Sequence, residues 1–231
     1  MIYFAHRGAN TQRVENTVSA FALAQKQGVT HYELDVHLLK DGQLAVHHDY
    51  SLLRTAGVDV KLKDLASVDL AEYPLINPSS KEKVSIPLLQ DVLPVILPNL
   101  KLLNIEIKND HNIYPGIEEE LLCLLRLHPQ LEGKILISSF DYDTLVRVRT
   151  LSSNVRVGLL TRQFDIKKAL ALRAESVHIN YIRFTPQIAQ ICHKNGLKVY
   201  CYTVTDRTLA AELAKQGVDG IFTNDVTLFT P

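Results

Sequence analysis

From residue 88 to the end of the chain, strand-like and helix-like segments alternate without a break, and this rhythm limits the possible folds more than any other feature. The spacing predicts helices over 88–97, 115–127, 142–151, 166–173, 186–194 and 207–216. Strands are predicted between them over 102–108, 135–140, 156–160, 176–180, 198–204 and 220–223. The punctuation agrees: Thr185 and Asp206 stand where helix N-caps are wanted, Gly196 and Gly217 where C-caps are wanted. Ahead of this run, 2–5 is a short apolar strand. Glu15-Asn16-Thr17 opens a helix through Gln27 that Gly28 closes, and an acid-bearing strand starts near Tyr32. Counted together the strands number eight. Eight βα units in a chain of 231 residues predict an α/β fold, a (β/α)8 TIM barrel forming one domain over 1–231. Residues 50–85 break the rhythm. They mix Lys61, Lys63, Asp64, Asp69 and Lys81 with Pro74, Pro78, Ser79 and Ser80, and are expected to form a small insertion over the mouth after the second strand.

A barrel of this kind carries its chemistry at the C-terminal ends of its strands. The first strand delivers His6 and Arg7 there, the second Glu33 and Asp35, the third Glu106 and Lys108, and the seventh Tyr202. Side chains alternate along a strand, so Glu33 and Asp35 share one wall, with Leu34 and Val36 on the other. Lys40-Asp41-Gly42 reads as a turn. The extended run after it, Gln43 to His48, puts Leu44, Val46 and His48 on one face and returns an imidazole towards the acids. Unpaired like charges are costly to bury, and a divalent cation resolves the conflict. Glu33, Asp35 and Glu106 offer only hard oxygen ligands, which suit Mg2+ or Ca2+ better than zinc. His6 and His48 then form a pair able to act as base and acid near neutral pH.

Charge arithmetic narrows the ligand. A divalent cation, the three carboxylates, Arg7 and Lys108 together leave about one positive charge, which matches a phosphodiester monoanion better than a dianion or a neutral sugar. Glu15 stands outside that count; it hydrogen-bonds Arg7 or cation-bound water, or caps its helix. Over the whole chain Lys+Arg and Asp+Glu are both 25, so no overall field favours nucleic acid or an anionic membrane. Cys123, Cys192 and Cys201 lack metal-ligand spacing and fit reduced thiols. With no apolar run long enough to span a membrane, and with His6-Arg7-Gly8 interrupting any leader-like segment, a cytoplasmic protein is expected.

Several of these stretches resemble one family. His6-Arg7-Gly8-Ala9, Glu15-Asn16-Thr17, Glu33-x-Asp35-Val36, Lys40-Asp41-Gly42, His48-Asp49, Ile105-Glu106-Ile107-Lys108, Ser138-Ser139-Phe140 and Gly217-Val218-Asp219-Gly220-Ile221 together look like the glycerophosphodiester phosphodiesterases, nearly end to end. The resemblance implies a barrel enzyme that hydrolyses glycerophosphodiesters to sn-glycerol 3-phosphate and an alcohol with a divalent cation. It also implies that Glu33, Asp35 and Glu106 hold the metal, that His6 and His48 handle protons, and that Arg7 and Lys108 contact phosphate. Three departures stand out: Val14 where the family usually has proline, Tyr202 where it often has tryptophan, and Thr223-Asn224-Asp225-Val226 where Thr-Asp-x-Pro is usual. Tyr202 and the last loop are expected to line the wall that meets the leaving alcohol. The competing expectations are a lysophospholipase D or a phosphoinositide-cleaving enzyme on the same fold, and a barrel that binds phosphodiesters without turnover. The polar stretch 61–83 offers little apolar surface for acyl chains.

Overall fold

The computed structural model describes residues 1–77 and 83–229; Pro78, Ser79, Ser80 and Lys81 of the expected insertion lie outside the described residues. Eight parallel strands run in order around a closed barrel: β1 (Ile2–His6), β2 (His31–Leu38), β3 (Leu102–Ile107), β4 (Ile135–Ser139), β5 (Arg156–Thr161), β6 (Ser176–Asn180), β7 (Lys198–Tyr202) and β8 (Gly220–Thr223). β8 closes the ring on β1, from Ile2 opposite Gly220 to Ala5 opposite Thr223, while His6 lies opposite Glu33 on β2. The expected TIM barrel is therefore the observed fold.

The two-residue period of each strand sorts its side chains into two shells. Outward residues such as Leu34, Ile105, Ile137, Val177 and Ile221 pack under Phe21, Leu93, Leu121 and Leu145 of the surrounding helices. Inward residues change character with height. Near the N-terminal end Phe4, Leu102, Leu136, Tyr200 and Phe222 fill the barrel with apolar rings, Phe4 stacked on Phe222 at 4.8 Å between centroids. Two residues further along the same strands, inward positions are His6, Asn104, Ser138 and Tyr202, and two further on β3 stands Glu106. An apolar floor thus lifts a polar ring to the mouth.

One inward position on β5 must be small. A Cβ on Gly158 would stand 2.5 Å from Nε2 of the buried His178, which itself pairs with Ser176 Oγ at 2.8 Å. Gly158→Ala is expected to destabilise the protein by about 1–3 kcal/mol through overpacking, measurable as a lower urea midpoint.

The insertion consists of single turns: a helical turn Leu53–Ala56, 3-10 turns Leu62–Asp64 and Ser67–Glu72, and a small ribbon pairing Leu75–Ile76 with Lys83–Val84. Leu52, Leu62, Leu65, Leu70, Leu75 and Ile86 gather in an apolar cluster with Val14, Leu39 and Ala45. The insertion is thus anchored on the barrel by a shared apolar cluster, and most of its anchors come from turns too short to imprint a period on the sequence. The strand preceding it is also shorter than expected. It spans Leu44–Val46, antiparallel to β2, and the chain bends from His48 to Tyr50. Strand alternation therefore does not set the direction of His48. All three cysteines are free, and among the described residues no helix is long and apolar enough to cross a membrane.

Candidate active site

Register brings the acids together. Asp35 on β2 lies opposite Glu106 on β3, and Glu33 stands one inward position below Asp35. Neighbouring parallel strands point side chains at one level the same way, so the three carboxylates converge, with ligand atoms all within 4.8 Å of one another. All three are buried, Asp35 completely. Burial and the adjacent Asp35 charge push the Glu33 carboxyl well above its usual range, and burial raises Glu106 as well, against the pull of Lys108. Asp35 moves the opposite way. Burial opposes its charge, but Lys108 and Arg7 together outweigh burial and hold it low.

Two cations occupy the same cluster. Lys108, just past β3, places Nζ 3.0 Å from Asp35 Oδ1 and in contact with Glu106 Oε1. Arg7 donates through its backbone N–H to Glu33 Oε2 at 3.0 Å and sets Nε 3.2 Å from Asp35 Oδ2. The loop that carries Arg7 needs a left-handed residue there (φ 58°), and Gly8 follows at φ 80°, where a Cβ would stand 2.8 Å from the backbone carbon of Ala20. Asn16, also left-handed, donates through Nδ2 to Asp35 Oδ2 at 2.8 Å. Glu33 Oε1 still lacks a hydrogen-bond donor although it is buried. Hard oxygen donors with unfilled acceptor capacity, and one carboxyl that resists ionising, make a donor set that fits a divalent cation.

The two histidines flank this cluster with different partners. His6 Nδ1 lies 2.6 Å from Asn224 Oδ1, which also accepts from Asn10 Nδ2 at 2.9 Å, while Asn10 Nδ2 donates to the His6 carbonyl. Because the Asn10 amide must donate, Asn224 presents oxygen, and His6 Nδ1 carries the proton. Its Nε2 keeps the lone pair and faces Glu33 Oε2 at 3.9 Å. Burial, reinforced by Arg7, lowers the His6 pKa to about 4. His48 Nδ1 instead donates to a carboxylate, Asp49 Oδ1, at 2.6 Å.

Asp49, Arg54 and Asn16 belong to this site although no role was expected for them from the sequence, and Asn224, expected only as part of a loop lining the wall, holds the His6 ring. Their stretches carried the signal: Asp49 and Asn16 lie within family-like motifs, and Asn224 marks a departure from one. Glu15, expected on the substrate side, has its carboxylate between Arg7 Nη1 at 3.0 Å and Arg54 Nη2 at 2.6 Å. It does not cap the first helix, Val18–Lys26, whose N-cap is Thr17. His37 and His47 are buried beside the site with structural partners, His37 on Tyr114 Oη and His47 on Thr55 Oγ1.

The mouth encloses a cavity of about 130 Å3 lined by His6, Glu33, His48, Glu106, Lys108 and Tyr202, among others. A second lobe of about 310 Å3 shares His48, Glu106 and Lys108 and extends to Asp49, Asp110 and Arg162. Tyr202 packs edge-on against Phe140, over which the Arg162 guanidinium sits at 4.5 Å.

Comparison with known proteins places this chain in a family. Residues 6–228 match the model of the glycerophosphoryl diester phosphodiesterase family. A glycerophosphodiester phosphodiesterase of Caldanaerobacter subterraneus subsp. tengcongensis is 35% identical over 97% of this chain and 94% of its own length. One of Bacillus altitudinis is 33% identical over 96% and 93%. Among solved structures, an Oleispira antarctica phosphodiesterase in complex with the product sn-glycerol-3-phosphate superposes with a TM-score of 0.83 and 27% identity, covering 100% of this chain and 96% of that one. On its sequence and its fold alike, the chain belongs to the glycerophosphoryl diester phosphodiesterase family.

Proposed function

We propose that the protein hydrolyses glycerophosphodiesters to sn-glycerol 3-phosphate and a free alcohol, with Glu33, Asp35 and Glu106 holding a divalent cation, Mg2+ or Ca2+. The observation that carries this reading is the convergence of three carboxylates within 4.8 Å at a barrel mouth, with a histidine on either flank. When bound, the cation supplies Lewis acidity to the phosphate and to the glycerol 2-hydroxyl.

The chain's own groups account for the rest. His6, neutral and with Nε2 free to accept, takes the proton of the 2-hydroxyl; its Nδ1–H stays on Asn224. The 2-oxygen attacks phosphorus and the bond to the alcohol breaks. His48, whose Nδ1–H is held by Asp49, gives the departing oxygen a proton from Nε2. Water then opens the cyclic 1,2-phosphate with the proton roles reversed, which restores both histidines. Arg7 and Lys108 contact the phosphate oxygens as negative charge grows there, so their attraction favours the transition state over bound substrate. Their bonds to Asp35 and Glu106 fix them for that task. Glu15 keeps Arg7 extended, and Tyr202 lines the wall beside the leaving alcohol. Charged side chains around the second lobe favour a small polar alcohol over an acyl chain.

The test is an assay coupled to sn-glycerol 3-phosphate release from several glycerophosphodiesters, with and without chelator. Release that stops in chelator and returns with Mg2+ or Ca2+ is expected, and Glu106→Ala should need much higher cation concentrations. Full activity in chelator removes the cation from the mechanism; unimpaired turnover of a 2-deoxy analogue removes the cyclic intermediate.

A further inference from the structure

A line of alternating charges runs over the rim and ends on His48. Asp35 holds Arg7, Arg7 holds Glu15, Glu15 holds Arg54, Arg54 holds Asp49, and Asp49 holds the histidine. The central element is the Arg54 guanidinium. Its Nε donates to Asp49 Oδ2 at 2.6 Å, its Nη2 to Glu15 Oε1 at 2.6 Å and its Nη1 to Glu15 Oε2 at 3.3 Å. That planar fork fixes both acids at once, which a lysine ammonium cannot do. Asp49 has one oxygen committed to Arg54 and the other to His48, so its carboxylate plane is determined by the arginine. Arg54 lies on the Leu53–Ala56 turn of the insertion, whose Thr55 also holds His47.

We propose that Arg54 is a positioning residue for proton delivery to the leaving alcohol: it holds Asp49 so that the His48 imidazole keeps Nδ1–H on Asp49 and Nε2 aimed into the mouth. As an exposed ion pair Arg54 contributes little to stability, because its side chain is half exposed and solvent screens it. What it supplies is geometry, in the way outer partners of a reactive imidazole fix its tautomer and ring plane. The insertion therefore carries the group that sets the aim of His48. The inference rests on the reading of His48 as the acid for the leaving group.

That dependence supplies the test. Wild type, Arg54→Gln, Arg54→Lys, Asp49→Asn and the Asp49→Asn/Arg54→Gln double variant are assayed on glycerophosphoethanolamine and on the 4-nitrophenyl diester of glycerol phosphate, with melting temperatures measured alongside. A poor leaving alcohol needs its proton; nitrophenolate departs without one. Arg54→Gln is expected to lower kcat about tenfold or more on the ethanolamine diester, and less than about twofold on the nitrophenyl diester. Arg54→Lys recovers part of the loss. In the double variant the ethanolamine rate falls no further than in Asp49→Asn alone, because Arg54 acts through Asp49. Equal losses on both diesters, or additive losses in the double variant, overturn the positioning role while leaving the hydrolase reading intact. A wild type that hydrolyses neither diester overturns both.

Discussion

His6→Ala is expected to lower kcat by roughly 10² to 10⁴ on every glycerophosphodiester, the nitrophenyl diester included. In the proposed mechanism the base that removes the 2-hydroxyl proton acts before any leaving group departs, so a better leaving group does not relieve its loss. His48→Ala supplies the contrast: a loss of similar size with ethanolamine as the leaving alcohol that largely disappears with nitrophenol. The partners give the physical reason for this asymmetry. A neutral amide oxygen, Asn224 Oδ1, fixes the proton of His6, and burial keeps that ring uncharged; a carboxylate, Asp49, accepts the Nδ1–H of His48 and leaves its Nε2 for the leaving oxygen. Steady-state kinetics of the two variants on the two diesters, with circular dichroism to confirm the fold, checks the assignment. If His6→Ala is rescued by nitrophenol and His48→Ala is not, the roles are exchanged.

Asp35→Ala should produce the largest loss of stability in the mouth, about 3–5 kcal/mol when unfolding is measured in chelator. The carboxylate is fully buried and neutralises Arg7 Nε at 3.2 Å and Lys108 Nζ at 3.0 Å, so its removal leaves two buried cations competing for the remaining acids. Glu33→Gln should behave differently. Burial and Asp35 already oppose ionisation of Glu33, and a glutamine keeps the oxygen that accepts from the Arg7 backbone N–H, so a change under about 1 kcal/mol is expected. Linkage gives the sign with pH. The Asp35 carboxyl is held below its unfolded value, so its contribution is complete above the ordinary aspartate range and is lost as pH falls through the folded value. Urea titrations of both variants at neutral and acidic pH measure this. Equal destabilisation by the two substitutions would contradict the division of charge described for the cluster.

The barrel and its acids were legible because both follow from periodicity. Apolar runs of strand length alternating with capped helices specify eight βα units. Alternation on β2 and β3 then puts Glu33, Asp35 and Glu106 on the inner wall, with register completing the cluster. What was not legible depends on contacts between distant loops. The aim of His48 follows from a bend and from Asp49 rather than from the strand, which ends at Val46. Arg54 and Glu15 meet across a separation of 39 residues, and no spacing rule reports such a contact. Asn224 was visible as a departure in the last motif, but its function as the acceptor for His6 appears only once the ring of strands is closed. The insertion, most of whose anchors sit on isolated turns, gave no periodic signal, yet it buries Leu52, Leu62 and Leu70 in a cluster shared with Val14, Leu39 and Ala45.

The hydrogen bond between His6 and Asn224 joins positions 218 apart in the chain, and it forms where the first strand meets the last. During synthesis, a nascent polypeptide that has not yet emerged from the ribosome as far as Asn224 lacks both the closing strand and the group that fixes the imidazole proton. A product terminated before Asn224 would therefore carry the three carboxylates on β2 and β3 without the partner that fixes the His6 ring.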